Sequence, residues 1–214
     1  MTILLAPHDR GTAALKRPDV TPMTGVTDMK TLTRTRLLIA AGALAAMPGL
    51  AAAHNYTYLE GGFLNRDYGP DDESGFRIAG SGDIHRNVAL IGEYADTGDL
   101  EQISAGALFH TPLNNILDFT AGATYEHIEF GPADDNGFGL RTGLRWQNAD
   151  GRLELAPEIR YVDFGDDDDT SLRVSGLYGL TPQLDLVAAV QGAGDDDRLE
   201  AGLRYNFGPR LTGR

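Results

Sequence analysis

From His54 onward the chain alternates at period two, and no long stretch carries apolar residues at helical spacing. In "GFGLRTGLRWQN", Phe138, Leu140, Thr142, Leu144 and Trp146 alternate with Gly139, Arg141, Gly143, Arg145 and Gln147. In "RLEAGLRYNF", Leu199, Ala201, Leu203, Tyr205 and Phe207 alternate with Arg198, Glu200, Gly202, Arg204 and Asn206. "TSLRVSGLYGL" sets Leu172, Val174, Gly176, Tyr178 and Leu180 against Arg173, Ser175, Leu177 and Gly179. Side chains on a strand point alternately to opposite faces, so each of these strands must sit between two chemically different surroundings. The fold class is all-β.

The connections alternate as well. Five are rich in Asp and Gly: "RDYGPDDES", "DTGDLE", "FGPADDNG", "GDDDDTS" and "GAGDDDR". Between them lie four short ones without acid runs: "HRN" at 85–87, "TPLNN" at 111–115, "NADG" at 148–151 and "TPQ" at 181–183. In an up-and-down antiparallel meander every second connection lies at the same end. The acidic connections therefore share one end and the tight turns the other. Nine connections imply about ten strands, at 55–66, 74–85, 88–97, 100–110, 116–130, 137–147, 152–164, 170–180, 184–193 and 198–207. Eight remains open, because strands one, three and nine alternate poorly.

A meander of alternating strands closes either as a soluble barrel, apolar inside, or as a transmembrane barrel, apolar outside. The polar set here carries both signs of charge. It includes Glu60, Arg77, Asp83, Asp118, Glu126, Arg141, Arg145, Glu154, Glu158, Arg160, Arg173, Glu200 and Arg204. The apolar set is Leu, Val, Ala and aromatics with almost no mid-strand charge. Aromatics gather near strand ends, with Phe109, Trp146, Tyr205 and Phe207 toward the tight turns and Tyr94, Tyr125, Tyr161 and Phe164 toward the acidic end. Strand ends are where interfacial girdles sit. The expectation is an up-and-down antiparallel transmembrane β-barrel with the charged residues as an interior network. A secreted soluble barrel with its faces reversed is the alternative.

The segment before His54 agrees with export. "MKTLTRTRLLIAAGALAAMPGLAAAH" offers Lys30, Arg34 and Arg36, then an apolar run from Leu37 to Ala46, then Ala51, Ala52 and Ala53 before a cut at His54. Residues 29–53 read as a cleaved signal peptide and 1–28 as an upstream extension from a start assigned too early. Residues 54–207 read as the barrel and 208–214 as a short tail. With 1–53 removed, no lysine remains, and 12 arginines face 28 acidic residues. Such acidity argues against nucleic-acid binding. The absence of cysteine excludes a disulfide scaffold, thiolate metal ligation and a cysteine nucleophile.

"NYTYLEGGF" (Asn55 to Phe63) and "LEAGLRYNF" (Leu199 to Phe207), with aromatics at alternate positions and a final Phe, resemble the first and last strands of small Gram-negative outer-membrane β-barrel proteins of the OmpA/OmpX-like type. The chain departs from that pattern by continuing past Phe207 with "GPRLTGR". The resemblance implies residence in the outer membrane as a monomer. It also implies contact with outer-membrane lipid, lipopolysaccharide and the outer-membrane assembly machinery, which recognises the terminal Phe.

Two functions fit. One is a structural or surface role with the acidic loops outside and the interior filled by ion pairs. The other is a narrow, weakly cation-selective porin-like channel. Asp166, Asp167, Asp168 and Asp169 are candidate ligands for loosely bound Ca²⁺ or Mg²⁺, since clustered carboxylates supply hard oxygen donors. "GDDDDTS" nonetheless lacks the EF-hand pattern. No other cofactor is expected. No enzyme is expected either: His54, His85 and His110 fall at a terminus or near tight turns. Only His127, with Glu126, Glu129 and the loop aspartates, could form a cluster.

Overall fold

A computed structural model describes residues 54–68, 71–98, 100–165, 167–194 and 196–207. The expected extension and signal peptide, the 208–214 tail and Asp166 lie outside the described residues. Ten strands follow in order: Tyr58–Tyr68 (β1), Asp71–His85 (β2), Val88–Thr97 (β3), Leu100–Asn114 (β4), Leu117–Phe130 (β5), Ala133–Gln147 (β6), Leu153–Asp163 (β7), Asp168–Gly179 (β8), Leu184–Ala193 (β9) and Asp196–Asn206 (β10). Each pairs antiparallel with the next, and β1 pairs with β10, so the sheet is a closed ten-stranded up-and-down barrel. The eight-strand alternative is thereby removed.

Closure requires the sheet to coil, and glycine makes room where strands approach most closely. Gly62 and Gly202 face each other across the β1–β10 seam. A Cβ on Gly62 would collide with the Ala201 carbonyl and the Gly202 Cα, and one on Gly202 with Gly61 and Gly62.

The faces divide as the alternation requires. Leu203 and Phe63 are 47% and 54% exposed on the outer wall, while Glu60 and Glu126 are 4% and 0% exposed on the inner one. Water would not leave this apolar surface uncovered while glutamates are buried. The outer wall faces lipid, and the soluble barrel with reversed faces is ruled out.

The acidic connections are shorter than expected. β1 continues to Tyr68, and β2, β6, β8 and β10 begin at Asp71, Ala133, Asp168 and Asp196. Most of the acidic residues therefore sit on strands that run past the apolar band. Between β5 and β6 only residues 131 and 132 remain, and Gly131 takes the positive φ (58°) that such a tight reversal needs. At the other end, Thr111 to Asn114 belong to β4 and not to a turn, with a register shift between Pro112 and Asn114. β1 begins at Tyr58 and not at residue 55, because His54 and Tyr56 are buried inside the barrel, 3% and 1% exposed.

The edge of the band can be read from the register. Outward pairs Phe63/Phe76, Tyr94/Ile103 and Tyr125/Phe138 are each followed by outward polar pairs: Asn65/Ser74, Asp96/Glu101 and His127/Asn136. On β7 and β8 the step comes at Asp163/Asp168. The chain's negative charge thus forms a collar at one membrane edge.

Candidate functional site: the charged lumen

Ion pairs bridge the interior from strand to strand. Arg160 on β7 pairs with Glu126 on β5 and lies 3.7 Å from Glu93 on β3. Glu93 accepts from Arg77 on β2 at 2.7 Å. Arg77 also donates to Glu60 on β1 at 2.5 Å and lies 3.6 Å from Glu200 on β10. Arg204 takes the other Glu60 oxygen at 2.6 Å, and Arg173 on β8 binds Glu200 through both guanidinium nitrogens. Four arginines and four glutamates are thus joined in one balanced network. The fork of arginine suits it to hold two carboxylates at once.

Two further pairs lie on the β6–β7 wall. Arg145 grips Glu154 bidentately at 2.8 and 3.1 Å, whereas Arg141 approaches Glu158 only to 3.8 Å and donates to the Ser104 hydroxyl at 3.4 Å. The cavity these side chains line measures about 100 Å³.

The tight-turn end is closed by residues 54–56, just ahead of β1. The Tyr56 ring stacks on His110 at 3.7 Å, with the Arg145 guanidinium 4.4 Å from its ring centre, and its hydroxyl donates to Asp118 at 3.1 Å. His54 sits with Nδ1 3.3 Å from Asp118 and Nε2 4.0 Å from Glu154. Asp83 is 3.1 Å from His110 Nε2 at the mouth, its side chain partly exposed. Sequence reasoning grouped Asp83 and Asp118 with the arginines; in the structure they serve this aromatic stopper.

Toward the acidic end apolar side chains occupy inward positions. Leu64, Ala95, Leu100, Val162 and Ala193 are buried there. Arg66 binds Asp196 bidentately at 2.7 and 2.5 Å, and Arg198 reaches the same carboxylate at 3.2 Å. Arg198 also donates across the lumen to Gln102 on β4 at 3.2 Å.

All thirteen charged residues expected inside hold inward positions, and eleven of them form the arginine–glutamate pairs above. Glu93, Arg66, Asp196, Arg198 and the His54–Tyr56 stopper were not anticipated. Glu93 and Arg198 carried a signal, since each occupies the polar phase of its strand. Asp167, Asp168 and Asp169 are exposed, and among the described residues no three His, Asp or Glu side chains converge as a metal site. His127 points outward beyond the band, beside Glu129 and Asn136 at 3.0 and 2.9 Å, away from the inward-facing Glu126.

No protein-family model matches the chain, and no curated protein matches it by sequence. Solved structures with a similar fold include a KdgM porin, at 11% identity and TM-score 0.46, covering 71% of this chain and 99% of that one. The N-terminal β-barrel domain of Pseudomonas aeruginosa OprF is similar at 15% identity and TM-score 0.33, covering 72% and 99%. Ail, the attachment invasion locus protein of Yersinia pestis, is similar at 11% identity and TM-score 0.30, again covering 72% and 99%.

Proposed function

We propose that this chain is an integral barrel of the bacterial outer membrane, of the OmpA/OmpX-like kind, whose lumen is sealed and whose acidic end is the working surface. The observation that carries this reading is the bridging of opposite walls: Arg160 to Glu93, and Arg198 to Gln102. These bridges cross the lumen between the buried apolar side chains at the acidic end and the aromatic stopper, which favours a sealed interior. Barrels of about this strand number are narrow enough for side chains to fill.

The role is structural or adhesive, and non-enzymatic. The acidic end faces outward from the cell, where Ca²⁺ or Mg²⁺ held loosely between the collar and anionic lipopolysaccharide offsets their repulsion. The same collar would concentrate cations, and this favours a narrow cation-selective channel as the second reading. Liposome swelling separates the two: vesicles carrying the refolded barrel stay impermeable to arabinose under the sealed reading. Swelling well above that of protein-free vesicles would overturn it.

A further inference from the structure

Two arginines meet across the β6–β7 seam. Arg141 and Arg160 are directly paired in the register, and both line the lumen. They reach the opposite wall at a second directly paired couple, Arg141 at Ser104 on β4 and Arg160 at Glu93 on β3. Like charges placed directly opposite on one face destabilise a sheet unless something neutralises them. Arg160 is neutralised, because its two amino groups lie against Glu126 and Glu93. Arg141 is not. Among the described inward arginines it alone has no carboxylate within hydrogen-bond distance, Glu158 standing 3.8 Å away.

Three donors gather here without acceptors. The Nε–H groups of Arg141 and Arg160 are both buried and unpaired. The Ser104 hydroxyl accepts from Arg141 at 3.4 Å and keeps its own proton to give. Buried donors left so are costly. Arg141, Arg160 and Ser104 line one cavity together with Thr120 and Glu158. The other carboxylates close by are already engaged, Glu126 by Arg160 and Glu93 by Arg77.

We infer that this cavity binds one small monovalent anion of the halide class, held by Arg141 with the Ser104 hydroxyl and the Nε–H of Arg160. The ion supplies the counter-charge that Glu158 gives Arg141 only at a distance, and it accepts all three donors. Hydrogen bonds from a guanidinium to an anion are charge-assisted and roughly twice as strong as neutral ones. Glu158 and Glu93 flank the site and disfavour a divalent oxyanion. The inference rests on the inward placement of these side chains and not on whether the lumen conducts, so a conductance result leaves it standing or falling on its own test.

Anomalous diffraction from crystals of the refolded barrel grown in bromide tests this, with heat-modifiable gel mobility confirming the fold of every variant. The expected result is one lumenal bromide peak in contact with Arg141 and Ser104, absent from R141Q. The urea midpoint in phospholipid vesicles, measured in chloride and in gluconate at one ionic strength, reads the same site in solution. Chloride at a few times its Kd should raise the folding constant about fivefold over gluconate. R141Q should abolish that difference, whereas R86Q, on an exposed turn, should keep it. Water at the site in place of bromide would overturn the inference. So would a chloride effect that R141Q retains. A bromide peak with no difference in midpoint would mark an adventitious ion only and overturn it as well. Should R141Q fail to fold, S104A decides: losing one of the three donors, it should shrink the chloride effect, and an unchanged effect would count against the site.

Discussion

Arg160 on β7 and Glu93 on β3 lie 3.7 Å apart across the lumen, although three strands separate them along the wall. The glutamate's other arginine, Arg77, and the arginine's other glutamate, Glu126, extend this bridge in both directions. Removing one member of such a buried set leaves its partners' charge uncompensated, a loss of about 3–5 kcal/mol. R160A should therefore lower barrel stability by that order, read as a shift in the urea midpoint in phospholipid vesicles. R141A should cost far less, because Arg141 stands 3.8 Å from its glutamate. Equal losses would show that the network is not the organising element of the interior.

Tyr56 separates packing from hydrogen bonding at the stopper. Y56A removes a buried ring stacked between His110 and Arg145 and should cost about 3–5 kcal/mol, as large aromatic truncations do. Y56F deletes only the hydroxyl that donates to Asp118. It should cost about 1 kcal/mol, more if the carboxylate is left without compensation. The same urea titration distinguishes them. A Y56A barrel as stable as the parent would mean that residues 54–57 do not occupy the lumen.

Leu203 tests the lipid face. It projects outward from β10 and is 47% exposed. L203R should destabilise the barrel in vesicles by about 2–4 kcal/mol if it lies near the bilayer midplane, less toward an interface. Trp146, the only tryptophan, also sits on the outward phase and should be quenched by brominated lipid. An unquenched Trp146 in a folded barrel would contradict the assignment of faces.

His127 lies past Tyr125, outside the spanning part of β5. Its hydrogen bonds with Glu129 and then Asn136, reinforced by the charges of Glu129 and Asp134, hold its imidazolium above the ordinary range. A raised folded-state pKa stabilises the fold below the unfolded-state value, and that contribution is lost as pH rises through the folded one. NMR titration should place His127 higher in the parent than in E129Q. No difference between the two would remove Glu129 as the cause.

How much of this was readable beforehand depended on which residues fill the polar phase of each strand. β6 and β10 announce themselves because Arg141, Arg145, Glu200 and Arg204 alternate with leucines. β3 and β9 were obscure because Ala89, Ile91, Ala95, Val187, Ala189 and Ala193 also hold inward positions, and several of them help pack the interior. An interior partly apolar erases the period-two contrast on those strands, and Glu93 was overlooked with them. The acidic segments looked like loops because Asp and Gly are poor strand formers, yet hairpin pairing carries Asp71, Asp134 and Asp168 into the ladder. Cross-lumen partners such as Arg198 and Gln102 are 96 residues apart and follow from closure, which alternation alone does not specify. The tucked residues 54–57 have no period at all.

The most direct test is single-channel recording of the refolded barrel in a planar bilayer, with heat-modifiable mobility confirming the fold. A sealed lumen predicts a silent membrane for the parent and discrete conductance steps when R160A and Y56A are combined, since the bridge and the stopper are then both gone. Steady, cation-preferring steps from the folded parent would contradict the sealed lumen and make the acidic collar the mouth of a channel.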